Sequence, residues 1–165
     1  MKVRHRARII ALQALFEIDC IGHEPRKVLE ERFSAATLPK EGHTLTQDLV
    51  WGVQGQTSKL DKVIQQLAPE WPIEQMAIID RNILRMAIFE IATRGDVPIK
   101  VVINEAVELA KLFGSDSARR FVNGVLGTLI TRIGNDDSKV TQLLDNLGVS
   151  QLSQQEPTDG EANLA

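Results

Sequence analysis

Residues 97–127, VPIKVVINEAVELAKLFGSDSARRFVNGVLG, decide the fold. Ile99, Val102, Ile103, Ala106, Val107, Ala110 and Phe113 recur at three- and four-residue steps. After Gly114 the same period resumes through Ala118, Phe121, Val122, Val125, Leu126, Leu129, Ile130 and Ile133. Apolar residues at that spacing line one face of an α-helix. The segment therefore predicts two amphipathic helices folded back on each other. Pro98 suits the first turn of the first helix, where its missing N–H costs nothing. Ser115 or Asp116 can cap the second. Asn104, Glu105, Arg119, Arg120 and Asn123 are polar residues that packing alone does not require. For Asn104 and Asn123 the expected role is a hydrogen bond, mutual or to backbone, that fixes the register of the hairpin.

Outward from the hairpin the same period continues. Ala7, Ile10, Ala11, Ala14, Leu15 and Ile18 predict a helix over residues 3–20, which Gly22 and Pro25 end. A shorter helix follows over 25–36, then a loop over 39–43. A helical face runs over 44–67, with Gly52 and Gly55 weakening its middle by up to ~1 kcal/mol each relative to Ala and predicting a kink near residue 55. Pro69 and Pro72 bracket Trp71 and stop it. Residues 75–93 carry a stripe so broad, from Ile79 to Ile91 with Met86 and Phe89 added, that this helix is expected to be enclosed on several sides. Strand-like alternation is missing throughout. Residues 140–147 can form one more short helix, and residues 150–165, without Lys or Arg, read as a disordered tail. The expected fold is an all-α bundle of six or seven helices, with a domain over 1–135 and a polar tail over 136–165.

Composition excludes several classes. The chain has 165 residues, 43% apolar and 25% charged, ordinary values for one soluble globular domain. No apolar run approaches the ~20 residues of a membrane span. The basic N-terminus leads into a periodic stripe ending in acids rather than a secretory h-region. A single cysteine, Cys20, rules out a disulfide framework, so the expected location is the cytoplasm. His5, His23 and His43 have no metal-ligand spacing, Cys20 has no CxxC companion, and no Gly-rich phosphate loop is present. Asp136-Asp137 reads as a solvated turn, and Asp80, Glu105 and Glu108 are scattered. No catalytic residue, metal or cofactor is expected.

Charge is unevenly placed. Four of the 19 Lys and Arg, namely Lys2, Arg4, Arg6 and Arg8, fall in the first eight residues, which hold no acid; the rest of the chain has 15 against 22 Asp and Glu. Cations at a helix N-terminus oppose its macrodipole by tenths of a kcal/mol, and Arg4 and Arg8 repel at i, i+4. Stability does not ask for them there. The functional reading is phosphate contact by this arm, His5 included; the bland one is a solvated, frayed terminus. Arg119 and Arg120 likewise open a helix, beside Phe121. That ring falls on the apolar stripe, so it either packs in the core or offers an edge position to an unstacked base.

Three segments together carry a family resemblance: R-x-R-A-x-x-x-A-x-Q-A-L-F from Arg6 to Phe16, ILRMAIFEI from Ile83 to Ile91, and DVPIKVVINEAVELAKLFG followed by RRFVNGVLG. Over about residues 3–134 the chain resembles the NusB transcription antitermination factors. The resemblance implies two packed three-helix halves. It also implies a non-catalytic adaptor that binds boxA-type single-stranded RNA of ribosomal RNA transcripts. That binding is shared with the small-subunit ribosomal protein acting as NusE, and the pair joins the Nus complex on RNA polymerase. The implied RNA face is Lys2, Arg4, His5, Arg6 and Arg8 with Asp116, Arg119, Arg120 and Phe121. The implied NusE face is Phe16, Asp80, Arg81 and Leu84. The free protein is expected to be a monomer or weak homodimer. Ser117 stands where many relatives have a second acid, Gly127 where an acid commonly follows VNGVL, and Phe16 replaces a frequent Tyr. Two rivals remain at this point: a helix-turn-helix DNA reader built on the 97–127 hairpin, and the NusB-like RNA-binding module of an rRNA methyltransferase, whose catalytic domain would have to lie beyond this chain.

Overall fold

The computed structural model describes residues 2–134 and Asp145. In order it comprises α1 (Lys2–Ile21), α2 (Pro25–Ala35), α3 (Lys40–Leu67), a 3-10 turn (Ile73–Gln75), α4 (Ile78–Thr93), α5 (Ile99–Phe113) and α6 (Ala118–Ile133). Among the described residues there is no strand. The further helix expected over 140–147, Asp145 apart, and the tail over 150–165 lie outside the described residues.

α4 organises the bundle. Every residue from Asn82 to Ile91 is buried, because α1 and α3 on the one hand and α5 and α6 on the other all pack against it. With α2 bracing α1 and α3, the result is two three-helix halves that meet along α4. The broad stripe read in the sequence has this cause: a helix with four neighbours has little free face to leave polar.

Three polar residues inside that stripe, Asn82, Arg85 and Glu90, all have partners, as burial requires. At one end of α4, Glu90 accepts two hydrogen bonds from Arg8 of α1, from Nε at 3.0 Å and from Nη2. At the other end, Asp19 of α1 accepts from Arg81 Nε (2.7 Å), Asn82 Nδ2 (2.9 Å) and Arg85 Nη1 (3.1 Å), while Arg85 also grips Asp61 of α3 at 2.7 and 2.9 Å. α1 and α4 are thus antiparallel and clamped near both ends. Burial works against the charged form of Asp19, but the hydrogen bonds and charges of Arg81, Asn82 and Arg85 outweigh it and hold its pKa below the usual carboxylate range.

The kink expected in α3 is at Gln56 (φ −127°, ψ 17°), one residue after Gly55. Gly52 has a packing cause: a Cβ there would sit 1.9 Å from Phe89 Cζ, so only glycine admits that ring from α4. Two boundaries differ from expectation. The 39–43 segment is not a loop beyond Pro39: α3 starts at Lys40, and Gly42 lies in its first turn with its bare backbone packed under Val3 and Leu38. And α4 starts at Ile78 rather than residue 75, the preceding Ile73–Gln75 forming its own 3-10 turn. No helix of the described residues is long and apolar enough to cross a membrane.

Candidate nucleic-acid interface

The basic arm is about the first two turns of α1, and most of its cations are engaged. Arg4 Nε lies 2.9 Å from Glu41 Oε1 on α3, in a pair open to solvent. His5 Nδ1 meets Glu105 Oε2 of α5 at 2.8 Å. Arg6 Nη2 donates to the carbonyl oxygen of Thr37 at 2.7 Å. Lys2 and Arg6 are exposed, whereas Arg8 is 4% exposed. Arg8 is the correction here. It shares a face with Ala11, Leu12 and Leu15, all buried, and its guanidinium is committed to Glu90, with Glu105 at 3.7 Å. Burial opposes its charge, but Glu90 and Glu105 more than compensate and raise its pKa above the ordinary value. A group so enclosed holds the bundle together and cannot reach a phosphate on the surface.

The start of α6 is built the other way. Arg119 and Arg120 are exposed, and among the described residues neither makes an ion pair or hydrogen bond. The first turn holds no acid and no side-chain cap, so its free N–H groups add partial positive charge to the two guanidiniums. Phe121 is half-buried, packed against the core on one side and edge-to-face with Trp71 on another, at a centroid distance of 6.1 Å and an interplanar angle of 77°. Asp116 is exposed in the α5–α6 turn.

The two basic patches lie apart. The arm meets α5 at Glu105, and α6 begins just past Gly114, nine residues further along, or about 14 Å at 1.5 Å per residue. The α5–α6 turn instead approaches the start of α4: a Cβ on Gly114 would lie 3.4 Å from Asp80 Oδ1. The structure therefore brings Gly114, at the end of α5, next to Asp80, a residue assigned to the protein-partner face.

Of that face, Phe16 is half-buried on α1. Arg81 is largely buried and held by Asp19. Asp80 is 8% exposed, its Oδ1 has no hydrogen-bond partner, and burial raises its pKa above the usual carboxylate range. Leu84 is a correction: it is fully buried inside α4, so its role is core packing. Asn104 and Asn123 are also corrected. Both are exposed, and neither makes a hydrogen bond among the described residues; the apolar stripes alone set the hairpin register.

Sequence reasoning missed Glu90, the anchor of Arg8, and singled out Glu105 without its role as the partner of His5. The available signal was Glu90 itself, an acid in the middle of a buried stripe. It also passed over Trp71 as a site residue. That side chain is 55% exposed although aromatic, and its setting between two prolines was visible.

Comparison with known proteins places the chain among antitermination proteins. Residues 5–131 match the model of the NusB family. A relative named transcription antitermination protein NusB, from Roseiflexus castenholzii, is 48% identical over 132 residues, covering 79% of this chain and 93% of that protein. The solved T. maritima NusB superposes with a TM-score of 0.74 at 30% identity, over 82% of this chain and 95% of that one. A structure of antitermination factors NusB and NusE with dsRNA shares the fold, with a TM-score of 0.70 at 24% identity over 79% of this chain and 98% of its counterpart.

Proposed function

The chain belongs to the NusB family, and from that premise we propose that it is a transcription antitermination factor: a non-catalytic adaptor that binds boxA-type single-stranded RNA together with the ribosomal protein acting as NusE. It works in the cytoplasm on nascent ribosomal RNA transcripts and delivers the pair to RNA polymerase. The observation that carries the RNA reading is the first turn of α6, where two exposed arginines, unpaired among the described residues, precede a half-buried aromatic ring in the chain. Phosphate oxygens match the guanidinium fork, and an unstacked base matches the ring. Lys2, Arg4 and Arg6 supply a second, weaker run of charge, since Arg4 must leave Glu41 or share it. Phe16 and Asp80 form the protein-facing side. Asp80 marks the α4 end of that side, its own unpartnered Oδ1 being enclosed beside Gly114.

The family places the chain away from helix-turn-helix DNA readers, and the packing agrees. α5 and α6, of 15 and 16 residues, are integral to a bundle half rather than a compact reading head. The test is a competition between a boxA-type single-stranded RNA and duplex DNA of the same sequence, read by anisotropy. Preference for the RNA is expected, and preference for the duplex would overturn the proposal. The methyltransferase-module reading is disfavoured because the Roseiflexus relative is matched over nearly its whole length.

A further inference from the structure

Trp71 is an exposed aromatic residue held in place with unusual care. Its carbonyl accepts from Gln65 Nε2 at 2.8 Å, the same amide donates to Ala68 O at 3.1 Å, and Gln65 Oε1 accepts from Ile73 N at 3.1 Å. The Trp71 N–H bonds to Ala68 O at 3.1 Å, and Pro69 and Pro72 fix φ on either side. One glutamine thus ties down the whole Ala68–Ile73 corner. Yet the side chain so positioned is 55% exposed, and its indole N–H makes no hydrogen bond among the described residues. Burial does not explain why a tryptophan is presented there.

What surrounds it does point to a ligand. Phe121 contacts the indole edge-to-face, so at least one face of the indole is not covered by that ring. Arg119 and Arg120, exposed and unpaired among the described residues, precede Phe121 on α6. An exposed indole set against Phe121, on a helix turn that also carries two exposed arginines, suits single-stranded nucleic acid, with a base on the ring and phosphates on the charge.

We propose that Trp71 is a base-stacking residue of the RNA interface. One unpaired base rests on the indole, Phe121 backs the indole, and Arg119 and Arg120 hold the adjoining phosphates. This inference rests on the RNA-binding reading above and extends its surface from α6 onto the corner after α3.

The chain has two tryptophans, so Trp51→Phe leaves Trp71 as the sole indole reporter. That variant is titrated with a boxA-type single-stranded RNA, with and without the ribosomal-protein partner. Binding is followed independently by the anisotropy of a labelled RNA. Trp71 emission is expected to be quenched with the same midpoint as the anisotropy. Trp71→Ala should weaken binding about fivefold or more with only a small fall in thermal midpoint from the lost Phe121 contact, and Trp71→Phe should retain most of the affinity and the midpoint. RNA binding seen by anisotropy with silent Trp71 emission and wild-type affinity in Trp71→Ala would overturn the stacking role alone. Emission that responds to the protein partner but not to RNA would also overturn it and assign the corner to a protein interface. If the wild type binds no RNA under either condition, the functional reading falls and this inference with it.

Discussion

The two ends of the basic surface obey opposite rules. At the N-terminal arm, Arg4, His5, Arg6 and Arg8 each have a partner, and the deepest of them, Arg8, is part of the core. At the start of α6, Arg119 and Arg120 have none among the described residues. In the sequence the arm looks the stronger binding element because its charges are dense and unopposed. In the fold, acids from α3, α4 and α5 come to meet them. A cation that already has a carboxylate offers less to a phosphate than one that stands alone, since the first interaction must be given up or shared. The contrast shifts weight in RNA binding toward α6 and makes Arg8 a structural residue.

The largest effect that separates the two regions is expected at Arg8. Arg8→Ala leaves Glu90 buried and uncompensated, which typically costs about 3–5 kcal/mol. A large fall in the denaturant midpoint is the expected outcome, and wild-type stability with lost RNA binding would return Arg8 to the interface. Next is Asp19→Asn, which strips Arg81 and Arg85 of a shared partner and should cost about 2 kcal/mol, in the range for hydrogen bonds to charged groups. Its pH signature has a definite sign. A carboxylate with a depressed folded pKa contributes stability above its unfolded pKa of about 3.9 and loses it as pH falls through the folded value. Acid unfolding curves of the wild type should therefore steepen below about pH 4, and those of Asp19→Asn should be flatter there.

Smaller effects fall on binding rather than stability. Arg119→Ala with Arg120→Ala should leave the thermal midpoint unchanged while weakening RNA binding. If both contact phosphates, the double variant lowers the slope of log affinity against log salt by about 1.4. An unchanged slope would remove α6 from the RNA surface. Arg4→Ala with Arg6→Ala should give a milder loss of affinity together with a stability loss of at most about 1 kcal/mol, as expected for solvent-open contacts. A loss exceeding that of the α6 variant would reverse the contrast drawn above.

The helices themselves were legible because local period determines them. The 97–127 hairpin, the kink beside Gly55 and the enclosure of α4 all follow from residues within a few turns of one another. What was not legible depends on residues far apart in the chain. Arg8 and Glu90 are separated by 82 positions and His5 and Glu105 by 100, so the arm reads as free charge until the chain is folded. Leu84 fits a buried stripe as well as a partner face, and only the four-sided packing of α4 decides between them. Asn104 and Asn123 failed as register pins for a simpler reason: both project from the outer faces of their helices. Glycine 42 misled in the opposite direction, its apparent loop character being a close approach to Val3.

The central claim is that this chain binds RNA as one half of a pair. The most direct test is a titration of labelled boxA-type single-stranded RNA with the full chain, in the absence and presence of the small-subunit ribosomal protein. Coupling of about 1–3 kcal/mol between ligands corresponds to roughly 5- to 150-fold, so binding should be weak and salt-sensitive alone and tighten by such a factor with the partner. Identical affinity with and without the ribosomal protein, or none in either case, would contradict the account.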